Sequence, residues 1–192
     1  VSLTAVTRRI QELAIPGYGE DEVLFMAETM ARLWPTHVFE WGTNRGSSAR
    51  IFHEARVLIG IDCEIHTVEL PLELAHLDRD HPGQASGLFI EDIPVSQYLG
   101  DGLEVSLRLY AEAEPERALF YLDGCHRYKQ VLVELRTLST AVPEAVLLLH
   151  DTGHLPEVAR ALADFRPERH YEQEHLASQA GMTSLWPRAS AW

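Results

Sequence analysis

Two cysteines, Cys63 and Cys125, are all that a chain of 192 residues carries. They are too few and too far apart for a disulfide framework or a zinc knuckle, and they read as free thiols in a reducing compartment. Basic charge is scarce too: 16 Lys and Arg stand against 29 Asp and Glu, a formal net charge of −13. A phosphate backbone needs a basic face, so nucleic acid is excluded as a partner and a small-molecule substrate suits the balance better. No apolar run approaches the roughly 20 residues that span a bilayer, and there is no signal-peptide pattern, so no membrane partner and a cytoplasmic location are expected. Repeats, low-complexity tracts and Pro/Gly/Ser linkers are missing as well, which leaves no domain boundary. One domain over 1–192 is expected, with N-terminal helices over 1–35 and a core over 36–192; the 46% of hydrophobic residues suffices for that core. A homo-oligomer is left open.

Two common nucleotide signatures are also missing. There is no G-x-x-x-x-G-K-[ST], and G-x-G-x-x-G would need glycines where Asn44 and Ser47 stand. What is present runs from Val38 to Arg50. His37 to Trp41 is short, largely apolar and β-favouring, a buried strand. Gly42 and Gly46 bracket a turn, and Ser47 and Ser48 suit the N-cap of a helix from Ala49. Strand, glycine turn and helix N-terminus form the nucleotide-binding unit of doubly wound α/β folds. Glu40 at the strand end would repel a pyrophosphate but suits an ammonium or sulfonium group. Glu-x-Gly-x-x-x-Gly resembles motif I of the class I S-adenosylmethionine (SAM) dependent methyltransferases.

Helices are expected over Leu3 to Leu13 and Glu20 to Leu33, the latter carrying Val23, Met26, Ala27, Met30 and Leu33 as a core stripe. Tyr18 and Gly19 between them can lie over a ligand. Ile65 to Pro71 is the second strand, and Glu69 at its tip fits the acid that bonds ribose hydroxyls about 20 residues past a glycine turn. Asp62 is the rival if Val57 to Ile61 is the strand instead. Leu74 to Gln84, with His76 and His81, reads as surface. Val95 to Leu99 forms a third strand ending in Gly100-Asp101-Gly102, where Asp101 either holds an adenine amino group or makes an ordinary turn. A helix from Leu103 to Ala113 follows.

Arg117 to Asp123 is the fourth strand, nearly continuous in apolar residues as a central parallel strand should be. Tyr128 to Ala141 is helical, and Ala145 to Leu149 is the fifth strand. Two buried strands thus deliver Asp123, His126, His150, Asp151 and His154 to one sheet edge. Parallel neighbours lie roughly 4.8 Å apart, so Asp123 and Asp151 can face one cation. Carboxylates and a hydroxyl suit Mg²⁺ or Ca²⁺, and imidazole shifts the preference toward transition metals. Each acid alone would also serve as a helix N-cap. After a helix from Leu155 to Phe165, Tyr171 to Leu176 and Thr183 to Trp186 read as an antiparallel hairpin.

Leu122-Asp123-Gly124-x-His126-x-Tyr128 with Leu149-His150-Asp151-Thr152 resembles the small-molecule O-methyltransferases related to catechol O-methyltransferase. The likeness is nearer to the branch of macrocin-type sugar methyltransferases and so-called cephalosporin hydroxylases. It covers roughly residues 36–155. It implies a doubly wound, seven-stranded, mostly parallel sheet with a C-terminal antiparallel hairpin, the Rossmann-like methyltransferase fold. It also implies SAM as cofactor and an O-methyltransferase acting on a small-molecule hydroxyl, the acceptor being its partner. Glu40, Gly42, Thr43, Asn44, Gly46, Ser47 and Ser48 would meet SAM in the first turn. Glu69, Leu70, Asp101, Gly102, Asp123 and Gly124 would meet it from the neighbouring strand ends. Asp123 and Asp151 would hold a divalent cation such as Mg²⁺, with Thr152 where catechol-type enzymes have Asn and His150 where some relatives have an acid. His126 falls where those enzymes have the Lys that receives the substrate proton, a base with His150 and His154 as competitors. Its unperturbed pKa near 6.5 suits that task. The alternatives are an NAD-binding oxidoreductase, disfavoured by the missing glycines and the hairpin, and a non-catalytic SAM-binding or partner-binding module.

Overall fold

The structure is a computed structural model, and it describes residues 3–71, 73 and 87–188. Helices α1 (Thr4–Glu12) and α2 (Glu20–Leu33) lead into β1 (His37–Trp41), α3 (Ser47–Ile59), β2 (Glu64–Glu69), β3 (Ser96–Leu99) and α4 (Gly102–Ala113). Then come β4 (Ala118–Leu122), α5 (Tyr128–Ala141), β5 (Val146–Leu149), α6 (Pro156–Phe165), β6 (Tyr171–Leu176) and β7 (Met182–Pro187). The stretch Leu74 to Gln84 lies outside the described residues.

The strands form one sheet in the order β3-β2-β1-β4-β5-β7-β6. The first five are parallel, and β7 runs antiparallel between β5 and β6. Period-two alternation sends Phe39, Trp41, Phe120 and Leu122 into a core shared with α4, α5 and α6. Val38, Leu119 and Tyr121 go to the other face, against α1, α2 and α3. The stripe on α2 is buried at Val23, Met26, Ala27 and Met30, as helical spacing requires. Burying each such side chain contributes about 1.5–3 kcal/mol, which holds both helical layers on the sheet. Among the described residues, no helix is long and apolar enough to cross a membrane.

One local expectation gives way, and two neighbouring positions take a definite place. Ser47 and Ser48 are not N-caps: Gly46, at φ +82°, takes that position and both serines lie inside α3. Val57 to Ile61 is the end of α3, closed by Gly60, so Asp62 precedes β2 and Glu69 alone of the two stands at a strand tip. Asp101 caps α4, its carboxylate accepting from Glu104 N at 3.0 Å.

Glycine has a packing reason at the β1 end. Gly42 sits at φ +96°, and a Cβ there would stand 2.1 Å from the Asp123 carbonyl oxygen. A Cβ on Gly102 or Gly124 would stand 2.3 or 2.8 Å from the Trp41 side chain. Gly42 and Gly124 bring the ends of β1 and β4 together, and Gly102 lets the start of α4 approach Trp41, whatever they do for a ligand. Gly42→Val is therefore expected to destabilise the fold by about 3 kcal/mol or more, from strain at positive φ plus a backbone clash. Urea denaturation checks this; a wild-type midpoint would show that the strand ends can separate without cost.

Candidate functional site

Glu40 ends its strand pointing to the α3 side, fully buried. Ser48, in the first turn of α3, donates its hydroxyl to Glu40 Oε1, while Oε2 is buried without a hydrogen-bond partner. Burial pushes Glu40 up to about 8, against the opposing pull of the Ser48 and Thr67 hydroxyls. Thr43 is buried and its hydroxyl meets that of Thr67, on β2, at 2.7 Å. Asn44, at φ +44°, directs its backbone N–H to Glu69 Oε2 at 2.5 Å. Glu69 Oε1 accepts from Leu70 N at 3.0 Å, so the acid at the β2 tip ties the glycine turn to its own strand. An orphan buried carboxylate oxygen at the mouth and a partly exposed acid at the next tip fit a ligand with a cationic head and hydroxyls.

Beside that turn, β4 and β5 deliver the second group. Asp151 takes a left-handed backbone, φ +58°, which Asp tolerates better than most residues. Its carboxylate thereby turns back toward Asp123. His126 Nε2 lies 3.1 Å from Asp151 Oδ2 and 3.6 Å from Asp123 Oδ1. His150 Nδ1 lies 3.3 Å from Asp123 Oδ1 and 3.5 Å from Asp151 Oδ2. Asp123, His150 and Asp151 each offer one ligand atom within 4.8 Å of the others, a donor set that fits a divalent cation. Thr152 is not brought in: its hydroxyl accepts from Thr183 of β7 at 3.0 Å. His154 is exposed and lines a cleft of about 400 Å³ with Tyr18, Glu22 and Ser178.

The charges settle each other. Burial opposes ionisation of Asp123, but hydrogen bonding and attraction to His126 and His150 hold it down at about 2; Asp151 is lowered in the same way. Burial likewise opposes charge on the imidazoles, and the two carboxylates outweigh it, raising His126 and His150 to about 10. An unperturbed His126 near 6.5 suits a base, and the structure sets the direction of its shift: with both acids facing the ring, it is upward.

Three further residues belong to the site. Tyr18 donates its hydroxyl to Asp123 Oδ2 at 2.9 Å, and Tyr121 reaches the same oxygen at 3.5 Å. Glu22, buried on α2, lies 3.8 Å from His150 Nε2 through Oε1 and accepts from Gly19 N through Oε2. Tyr121 shares the face of Asp123, two residues on, a signal the sequence carries. Glu22 abuts the apolar stripe of α2, but nothing in its spacing links it to β5.

No family model and no curated protein matches the chain. Solved structures do. SAH-bound methyltransferase PaMTH1 of Podospora anserina is 15% identical with a TM-score of 0.60, over 97% of this chain and 87% of that one. The SAM-bound O-methyltransferase TomG of Streptomyces achromogenes, involved in tomaymycin synthesis, is 13% identical with a TM-score of 0.58, over 97% and 89%. A CmcI form with Mg-SAM is 15% identical with a TM-score of 0.54, over 86% and 71%. The fold is thus the Rossmann-like fold of SAM-dependent O-methyltransferases, hairpin included.

The ion-pair group makes stability depend on pH. Imidazoles raised to about 10 contribute fully below their unfolded value of about 6.5 and lose that contribution as pH climbs toward 10. Lowered carboxylates contribute above about 4 and lose it as pH falls toward 2. Glu40, raised to about 8 by burial, subtracts stability as pH climbs from its unfolded value of about 4.5, so the urea midpoint of ligand-free protein should fall from there and fall faster above 6.5, with Asp151→Asn flattening the alkaline arm. Histidine ring signals for His126 and His150 that titrate near 6.5 by NMR would contradict this electrostatic picture.

Proposed function

We propose that this protein is a SAM-dependent O-methyltransferase acting on a small-molecule hydroxyl with a divalent cation. The observation that carries the reading is the junction of Glu40, Asp123, Asp151 and His126 at adjoining strand ends of a fold shared with SAM- and SAH-bound methyltransferases. The antiparallel hairpin and the absence of dinucleotide glycines favour SAM over NAD.

Glu40 would meet the cationic end of SAM with its unpartnered Oε2, and Glu69 would take the ribose hydroxyls by leaving Asn44 N and Leu70 N. When bound, SAM supplies a methyl group open to in-line attack. Asp123, His150 and Asp151 would hold the cation, which when bound lowers the pKa of a hydroxyl and orients its oxygen. Tyr18 fixes Asp123 and forms one wall of the 400 Å³ cleft, whose size suits a small acceptor. A proton on His126 Nε2 is retained while both carboxylates face it, so engaging those carboxylates elsewhere frees Nε2 to take the acceptor's proton. Holding donor and acceptor in line contributes a large share of the rate. The charge balance suits an uncharged or cationic acceptor and a cytoplasmic setting.

Calorimetry should show S-adenosylhomocysteine binding and no NADH binding. Glu40→Gln preserves the neutral form that burial imposes, so it should fold yet bind S-adenosylhomocysteine at least about ten-fold more weakly. Unchanged affinity would remove Glu40 from the cofactor site. With phenol, sugar and macrolide acceptors, EDTA should abolish turnover and Mg²⁺ or Mn²⁺ restore it. His126→Ala should cost roughly 10²- to 10⁴-fold in turnover while S-adenosylhomocysteine affinity stays near wild type. Full turnover in His126→Ala, with loss in His150→Ala, would move the base to β5.

A further inference from the structure

A second group of ligand atoms converges where β1 and β2 begin, at the sheet end away from the proposed reaction. His37 and Glu64 are register partners, and His66 lies two residues beyond Glu64 on the same strand face. Glu64 Oε2 stands 4.0 Å from His37 Nε2 and 3.6 Å from His66 Nε2. The two imidazoles lie within 6° of parallel, centroids 5.7 Å apart, and one ligand atom from each of the three residues falls within 4.8 Å of the others. Four residues of strand, roughly 13 Å, separate His37 from the glycine-turn end of β1.

The hydrogen bonds around this group orient it toward a cation. Thr36 Oγ1 gives its one hydrogen to Arg117 O at 3.1 Å, so toward His37 Nδ1, at 3.2 Å, it accepts. With one ring proton, His37 carries it on Nδ1, and Nε2 is left as the ligand atom nearest Glu64. The Tyr98 hydroxyl meets His66 Nδ1 at 3.4 Å, leaving His66 Nε2 facing the same carboxylate. His66 is 7% exposed and its Nε2 has no hydrogen-bond partner. Buried polar atoms are rarely left so.

We propose that His37, Glu64 and His66 bind a zinc-class transition-metal ion, with a fourth, solvent-facing position for water. Two neutral imidazoles and one carboxylate suit Zn²⁺, Co²⁺ or Ni²⁺ and not Mg²⁺. Bonds of about 2.0–2.2 Å place tetrahedral ligand atoms roughly 3.3–3.5 Å apart. The Glu64 side chain, 72% exposed, is free to close its own gaps of a few tenths of an ångström to His37 and His66. Thr36 and Tyr98 act as the outer partners that fix ring orientation. The ion would pin β1 to β2 at their first residues, independently of any methyl transfer.

Titration of the EDTA-treated full chain with Co²⁺, whose visible absorption reports tetrahedral coordination, tests the site. Glu64→Gln, a change on an exposed side chain, and His37→Gln should each weaken this ion by about ten-fold or more. Asp151→Asn should leave it unchanged, and Zn²⁺ should displace it. Equal Co²⁺ affinity in wild type, Glu64→Gln and His37→Gln overturns the proposal, as does an absorption band that disappears with Asp151→Asn or no band at all. In zinc-soaked crystals an anomalous peak among His37, Glu64 and His66 supports the site, and a map without one rejects it.

Discussion

The contact on which the rest of the site depends is the approach of Gly42 to the Asp123 carbonyl, closer than any side chain allows. It sets how far the glycine turn after β1 stands from the acid that ends β4. Asp123 N donates to Trp41 O at 3.3 Å and Gly42 N to Val68 O at 2.9 Å, so the ladder runs past the formal strand ends on both sides of β1. A glycine turn and an acid group carried on separate elements would vary in distance with every motion of those elements. Here they are parts of one hydrogen-bonded edge. The proposed catalysis by positioning would draw on that rigidity, since small displacements of reacting groups cost large factors in rate.

Burial acts on every carboxylate of this edge, yet the outcomes differ. Glu40 has hydroxyl neighbours and no cation, so desolvation wins and its pKa rises to about 8. Asp123 is only partly buried, and two imidazoles lie within 3.6 Å, so it stays ionised. Both states leave room for an incoming charge. Glu40 gains a partner when a cationic group arrives, and Asp123 with Asp151 can exchange imidazolium for metal. The chain thus stores neutrality in two ways, by protonating one acid and by pairing the others internally.

Much of the fold was legible because the elements are strongly periodic. The stripe on α2, the apolar run of β4 and the alternation in β6 leave little choice of structure, and their bounds fall at or within a residue of expectation. Serine and aspartate next to a helix start were harder, because both N-capping and helix-interior positions suit them. Ser48 went inward to Glu40, a partner eight residues back that spacing does not reveal, and Asp101 became a cap. In the site, Asp123, His126, His150 and Asp151 were visible as the residues that end two buried strands. Glu22 was not, and Tyr18 only as a loop residue that can lie over a ligand, for both reach it by the packing of the α1–α2 segment over the sheet, a contact between residues more than 100 positions apart. The partner of Thr152 was not visible for the same reason: Thr183 lies on the returning hairpin.

The two ends of the sheet also differ in what an unsatisfied group signifies. At the carboxyl ends of parallel strands, loops and helix N-termini converge, and ligand sites collect there whatever the chemistry. Glu40 Oε2 without a partner is therefore consistent with a fold already built to receive something. At the amino ends no such convergence is built in, and unpartnered buried atoms should be rarer because only stability is at stake. His66 Nε2 breaks that expectation, on a strand that placed Ile65, Thr67 and Val68 in well-packed or bonded positions. A leucine or phenylalanine there would have packed against Phe39 without a polar cost. Retaining an imidazole in that position, with a second imidazole parallel to it and a carboxylate between, is a choice that packing alone does not account for.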